Sequence, residues 1–351
     1  MINTGNIWLL IRLVATYVGA VIGAGFASGQ EILQFFILYG YQGLLGTVLA
    51  TILFAYLGAL MLYLSVKLRA SSYQEVLSYL LGPWAGRFMD ILSLLMLVGG
   101  LGVMLAGSGA VVEEYLGVSR WLGIGFSLGV IALVIFNGLQ GLLTVNIILV
   151  PLKLLGVCLI ALLALFYQGL PEKLPAADLA EVGGSWWWSS ILYVSFNMVV
   201  PLAVLASMGR YITKRSAISA GVCGGLALGG AVAMVTLAGL AFYPSVANYE
   251  VPMLYMASQV SVYLRPVFAL LIWLAILTTA VANAHGFASR LAPSGSKGYR
   301  LYGSAVCLLV LPLTLLDFSA LVKILYPAFG YAGLVLFTAL LVVPLLRLRR
   351  R

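Results

Sequence analysis

The sequence predicts an all-α integral membrane protein of ten transmembrane helices, divided into two inverted five-helix halves whose first helices are unwound. Three observations carry that prediction. The 351 residues are 63% hydrophobic and only 8% charged. Their apolar stretches recur at lengths near the ~20 residues that a helix needs to cross a bilayer. The first and sixth stretches are interrupted by residues that weaken a helix.

Apolar runs between polar breaks give spans near 8–38, 42–66, 87–112, 121–137, 142–167, 187–209, 217–243, 264–289, 301–316 and 320–346. The first run follows "MINTGNIWLLIR", which lacks a basic start with a small-residue cleavage site, so it is expected to remain as a span. Residues 1–168 form the first half and 185–351 the second, with 169–184, "GLPEKLPAADLAEVGG", as an external linker. "NYEVPMLYMASQVSVYLRP" reads as a surface helix before the eighth span.

The net charge of +9 does not point to nucleic acid, because the basic residues sit in short interhelical loops and at the C-terminus. With both termini in the cytoplasm, fourteen Lys/Arg fall on that side: Arg12, Lys67, Arg69, Arg87, Arg210, Lys214, Arg215, Arg290, Lys297, Arg300, Arg347, Arg349, Arg350 and Arg351. Three fall outside: Arg120, Lys173 and Arg265. That asymmetry sets the expected topology in the cell membrane, with lipid as the surrounding partner. Five helices per half is an odd number, so halves that share a fold must be inverted. Cys158, Cys223 and Cys307 lie in apolar runs with no metal-ligand spacing and read as packing residues. Asp90, one turn from Arg87, reads as its local ion-pair partner.

The first span contains "YVGAVIGAGFASGQEILQFF", with Gly19, Gly23, Gly25 and Gly29 in thirteen residues. Each costs roughly 1 kcal/mol relative to Ala in a helix interior, so about 3–4 kcal/mol must be offset. Close helix packing offsets it if the two GxxxG pairs are contact points. An unwound segment offers the other account, since freed backbone groups near mid-membrane bind ligands in transporters with discontinuous helices. The sixth span favours the second account. It carries Ser195, Phe196 and Asn197 followed by Pro201, which removes a helical hydrogen bond. Interruptions in the first helix of each half are what a site at the repeat interface requires. A half-helix beginning near Ser28 would aim N–H groups at a carboxylate. The candidate substrate site is therefore Gly23, Ala24, Gly25, Phe26, Ala27 and Ser28, whose N–H groups suit a carboxylate, with Ser195, Phe196 and Asn197, where Asn197 and nearby carbonyls suit an amine.

"VGAVIGAGFASGQEILQFF", the ten-helix plan and the small size resemble the YkvI-type amino-acid permeases of the amino acid, polyamine and organocation superfamily, over essentially the whole chain. The resemblance implies a LeuT fold and secondary transport of a small amino acid or similar zwitterion. It also implies a cation site. Ala275, Thr278 and Thr279 share one face of the eighth helix, and in LeuT-fold sodium symporters such a triplet binds sodium together with two first-helix carbonyls, here Gly19 and Ile22. Threonines that merely bond the carbonyl one turn back are the plainer account.

Lys153 competes with sodium. Twelve residues beyond Gly141 it lies ~18 Å deep, where a lysine is costly and functional by default. The fifth helix resembles that of permeases in which a lysine occupies the sodium position, so Lys153 reads as a cation surrogate coupled to a proton or to exchange, with a sodium ion as the alternative coupling ion and a lysine that merely pairs with a carbonyl or carboxylate as the structural one. Glu31 and Lys323, roughly 12 and 9 Å deep, form an expected gate on the outer side, with Lys153 as Glu31's other candidate partner. A non-transporting small-ligand receptor on the same fold is the principal rival reading, and a channel the next. No catalytic motif points to an enzyme.

Overall fold

The computed structural model describes residues 4–70, 73–137, 140–171, 184–210 and 212–348. Most of the expected linker, 172–183 with Lys173, lies outside the described residues, as do Arg349, Arg350 and Arg351. The first apolar run is three helices, α1 (Thr4–Val21), α2 (Ala24–Ser28) and α3 (Gln30–Phe35). The rest of the first half is α4 (Tyr41–Leu68), α5 (Tyr73–Leu116), α6 (Arg120–Asn137) and α7 (Gln140–Gln168). The second contains α8 (Trp186–Ser207), α9 (Lys214–Ala241), α10 (Pro252–Val260), α11 (Leu264–Leu291), α12 (Lys297–Leu309) and α13 (Phe318–Leu348). No strand occurs among the described residues.

Seven of these helices, α12 with its 3-10 extension included, are long and apolar enough to cross a membrane, and an eighth is α8 if its two bent arms are one span. Shorter apolar helices run through Ile7–Val21 and Arg120–Phe136. Exposed apolar side chains cover the outside, such as Val48 and Ile52 on α4 and Leu152, Leu155 and Phe166 on α7. In water such a surface would aggregate; facing lipid tails it needs no cover. The protein is a multi-pass membrane protein.

Three elements depart from expectation. α5 begins at Tyr73, well before the run of apolar residues, because an amphipathic turn is joined to the span across a kink at Gly82, where φ is 77°. α10 is not a surface helix: Pro252, Met253, Leu254, Met256 and Ala257 are buried, so its apolar side is used in the core. α8 is helical through Ser195, Phe196 and Asn197, and bends by 58° between Trp186–Val199 and Val204–Arg210 instead of unwinding. Pro201 removes one hydrogen bond and forces a bend, but neighbouring turns keep their bonds.

The tightest pairing is that of α4 with α9. Gly221, Gly225 and Gly229 recur every four residues along α9. A Cβ on the first two would run into the backbone at Ala59 and Ala55, and on the third into Thr51. Only glycine lets the two helices approach this closely, the small-residue contact that replaces the hydrophobic effect between membrane helices. Two ion-pair groups tie opposite ends of the bundle. At one, Arg120 reaches Glu113 at 2.9 Å, Asp317 at 2.7 Å and Glu250 at 3.4 Å, while Glu250 accepts the Phe318 N–H at 2.9 Å. Burial pushes the Glu250 carboxyl above its ordinary value, against the pull of the Phe318 N–H and of Arg120. At the other end Asp90 pairs with Arg290 of α11 at 2.6 Å and accepts the Tyr73 hydroxyl at 2.7 Å. Arg87 instead lies over the Trp84 ring, so the expected local pair is replaced by one that joins α5 to α11.

Candidate functional site

The break in α1 falls at Ile22 and Gly23. Gly23 N–H turns to the Val21 carbonyl at 2.8 Å instead of the Gly19 carbonyl four residues back. The Gly19 carbonyl thereby loses its helical donor, whereas the Ile22 N–H stays in the ladder, bonded to the Val18 carbonyl at 2.8 Å. The chain resumes helix at Ala24, not near Ser28, with Gly23 extended at φ −90° and ψ −167°. Ser28 acts locally, its hydroxyl bonding the Gly25 carbonyl at 2.9 Å and accepting the Gln30 N–H at 3.3 Å. A second interruption follows at Gly29, which is left-handed at φ 82° and ends α2.

The glycines of this segment have separate uses. A Cβ on Gly19 would strike Val150 of α7, so α1 and α7 touch there. A Cβ on Gly25 would meet Glu31 Oε2 at 2.5 Å and the Tyr326 hydroxyl at 2.7 Å. Gly29 supplies a backbone conformation that costs L-residues roughly 1–2 kcal/mol. Gly23 faces open space.

That space is a cavity of about 530 Å³. From the α1 break its walls are Gly19, Ile22, Gly23, Ala24 and Gly25; from α8, Phe196 and Asn197; from α11, Thr278 and Thr279; and from α3 and α7, Glu31 and Lys153. It continues along α11 to Ser289 and Arg290, twelve residues or ~18 Å beyond Thr278, and meets Tyr73 there. On the opposite side the core is filled by aromatic rings, with Tyr193 against Phe36 at 4.9 Å and Phe35 at 5.4 Å. The cavity therefore extends toward the Asp90–Arg290 end and stops short of the Arg120 end.

Lys153 is 3% exposed on an α7 face that also buries Val157 and Ile160, while Leu152 and Leu155 point outward. It lies one turn beyond Val150, the residue against Gly19. Among the described residues it makes no hydrogen bond or ion pair. Thr278 and Thr279 both donate to the Ala275 carbonyl, at 3.1 and 2.8 Å. Each hydroxyl oxygen keeps lone pairs, so the threonines remain acceptors on the cavity wall. The Ala275 carbonyl is occupied by them, and Ala275 is absent from the wall.

Glu31 is 3% exposed. Its Oε1 accepts from Asn197 Nδ2 at 3.1 Å, and the same amide also donates to the Tyr193 carbonyl at 3.1 Å. The buried Tyr193 hydroxyl lies near this carboxylate without a well-formed hydrogen bond. Lys323 is exposed, and the structure does not bring it to Glu31. The two residues of the expected gate are not paired with each other in this structure. The turn at Gly29 folds α3 so that Glu31 looks back at Gly25 and into the cavity, whereas depth along a continuous helix would have aimed it elsewhere. Glu31 and Lys153 share the cavity but form no ion pair among the described residues.

Eleven of the expected site residues thus line one space, while Phe26, Ala27, Ser28, Ser195, Ala275 and Lys323 do not. Tyr326, Phe329 and Asn283 join the wall although nothing in the sequence singles them out. Phe196 packs on Tyr326 with ring centroids 4.8 Å apart, which fixes one side of the cavity. Tyr326 lies three residues beyond Lys323, about 60° around α13 from it, and Tyr326, not Lys323, meets the cavity.

No protein-family model matches the chain. It is similar to a manganese transporter of Eremococcus coleocola, with a TM-score of 0.55, 13% identity, and coverage of 92% of this chain and 76% of that one. It is also similar to a Na+-coupled sialic acid symporter, with a TM-score of 0.56, 11% identity, and coverage of 94% and 78%. These likenesses show a membrane transporter fold. Among curated proteins it is 28% identical to YkvI, an uncharacterised membrane protein of Bacillus subtilis, over 94% of both chains. It is 32% identical to the uncharacterised YyaD of the same bacterium over 98% of both. On that sequence identity and near-complete coverage, the chain belongs to the family of YyaD, within a transporter-fold membrane architecture.

Proposed function

We propose that this protein is a secondary active transporter of a small amino acid or similar zwitterion, working by alternating access in the cell membrane. The observation that carries the reading is the convergence of a broken α1, a bent α8 and a buried lysine on one cavity. Counting α1 to α3 as one broken span and α6 as a span gives ten, as five plus five inverted helices of LeuT type. Freed carbonyls at the α1 break and the Asn197 carbonyl, whose helical donor would have been the missing N–H of Pro201, supply polar backbone at mid-membrane. With both termini cytoplasmic, the cavity extends toward the cytoplasm, an inward-facing state, and the Arg120 cluster closes the outside.

Lys153 acts as the cation surrogate. Its ammonium needs acceptors, and the Gly19 carbonyl and the threonine oxygens are the acceptors at hand. Coupling is then to a proton or to exchange. Sodium in the same cage is the competing arrangement.

The test is counterflow of labelled amino acids in proteoliposomes, alongside melting temperatures with sodium, potassium or neither, in wild type and Lys153→Ala. Saturable exchange that does not need sodium, lost in the variant, is expected. A sodium-dependent rise in the wild-type melting temperature would overturn the surrogate role. Binding without counterflow would favour a receptor on the same fold.

A further inference from the structure

The charges of the cavity do not balance by pairing. Arg290 at its end is satisfied by Asp90. Lys153 lines the same cavity as Thr278 and Thr279 and makes no hydrogen bond or ion pair among the described residues. Glu31 is different: its carboxylate is nearly completely buried, lines the cavity, and takes its hydrogen bond from a neutral amide, Asn197 Nδ2. A buried carboxylate without a cationic partner is strongly unfavourable, so some positive group must complete it in the working state or the charge must be absent. Neither basic residue of the cavity wall, Lys153 or Arg290, does so in this structure.

The position of the carboxylate is built, not incidental. Gly25 has no side chain, and that vacancy is what admits Glu31 Oε2 and the Tyr326 hydroxyl beside the helix break. Asn197 fixes the other oxygen, and Asn197 is itself held by the Tyr193 carbonyl. Two rings, Phe196 and Tyr326, stand over the same side, and aromatic faces attract organic cations.

We propose that Glu31 is the receptor for the ammonium group of the solute, so that the site takes an organic amine and rejects the isosteric alcohol or hydroxy acid. This rests on the reading of the cavity as the solute site and inverts one part of it: the solute's amine, and not its carboxylate, is the group aimed at the α1–α3 segment. An ammonium placed there completes the Glu31 pair, and removal of one partner then leaves a buried charge uncompensated.

The experiment measures affinity by thermal shift and exchange by counterflow, with alanine, serine and leucine against lactate, glycerate and 2-hydroxyisocaproate. Sodium chloride and potassium chloride serve as cation-only controls. Wild type should be stabilised by at least one amino acid and favour it over its hydroxy acid by roughly tenfold or more, and Glu31→Gln should lose that preference while its ligand-free melting temperature stays near wild type. Glu31→Asp, which retains the charge, should retain the preference at lower affinity. This second variant keeps the test decisive if the first misfolds. Equal affinity for the hydroxy acids, unchanged preference in Glu31→Gln, lost preference in Glu31→Asp, or stabilisation by inorganic cations alone would overturn the assignment. So would the absence of a shift with every amine. Amine-selective binding without counterflow would leave the assignment standing and sink transport, whereas counterflow of a hydroxy acid would do the reverse.

Discussion

The α1–α3 segment and α8 are interrupted by different chemistry, and the structure separates the results. Glycine at 23, 25 and 29 gives a true break at Ile22–Gly23, a second at Gly29, and room for a carboxylate beside the backbone. Proline at 201 gives a 58° bend in a helix that stays helical through Asn197. The reason lies in what each residue removes. Glycine removes steric restriction and lets φ go positive, so the chain can leave the helical basin altogether. Proline removes one donor and adds one clash, which bends the ladder but leaves the neighbouring turns intact. One helix thus contributes freed groups and space, and the other a wall with a single freed carbonyl.

Four substitutions test that contrast. The largest effect is expected from Gly25→Val, which fills the space held by Glu31 Oε2 and Tyr326: exchange in proteoliposomes should vanish, and melting temperature should fall in line with an overpacking cost of about 1–3 kcal/mol. Unchanged exchange would mean that the glycine is a spacer. Gly29→Ala forces a side chain into φ 82° and against Met253, so a loss of about 2 kcal/mol is expected, read from the thermal midpoint in detergent. Pro201→Ala restores an N–H toward the Asn197 carbonyl. It should hold or raise stability while lowering exchange several-fold, and equal losses of both would show that the bend serves only packing. Arg120→Ala, away from both helices, should disturb the site least: solute affinity should be unchanged, with a stability cost of about 1 kcal/mol or less per partly exposed pair read from the melting temperature.

The positions of the helices are legible in the sequence because a bilayer imposes a length and a composition that short polar loops interrupt visibly. The α1 break is legible as well, since four glycines so closely spaced in an apolar run cost more than an unbroken span can easily recover. Side-chain direction is not. Depth along a straight helix aims Glu31 at Lys323, but the left-handed turn at Gly29 redirects everything after it, and a single φ of that kind leaves no trace beyond one glycine among several. Lys153 is readable because an intramembrane charge must face inward whatever the details. Tyr326 and Asn283 are not, since a lone polar residue in an apolar helix has many uses, and only the neighbouring helices decide which one applies. Asp90 differs from expectation for a related cause: sequence proximity favours Arg87, and the packing of α5 on α11 favours Arg290.

The seam between α4 and α9 limits how such a molecule can move. Backbones in direct contact at Gly221 and Gly225 cannot slide past one another without collision, so this pair behaves as a keel. Any rocking that shuts the cavity on one side and opens it on the other has to pivot around that splint, leaving the shifts to the looser flank where α5, α11 and α13 surround the hollow.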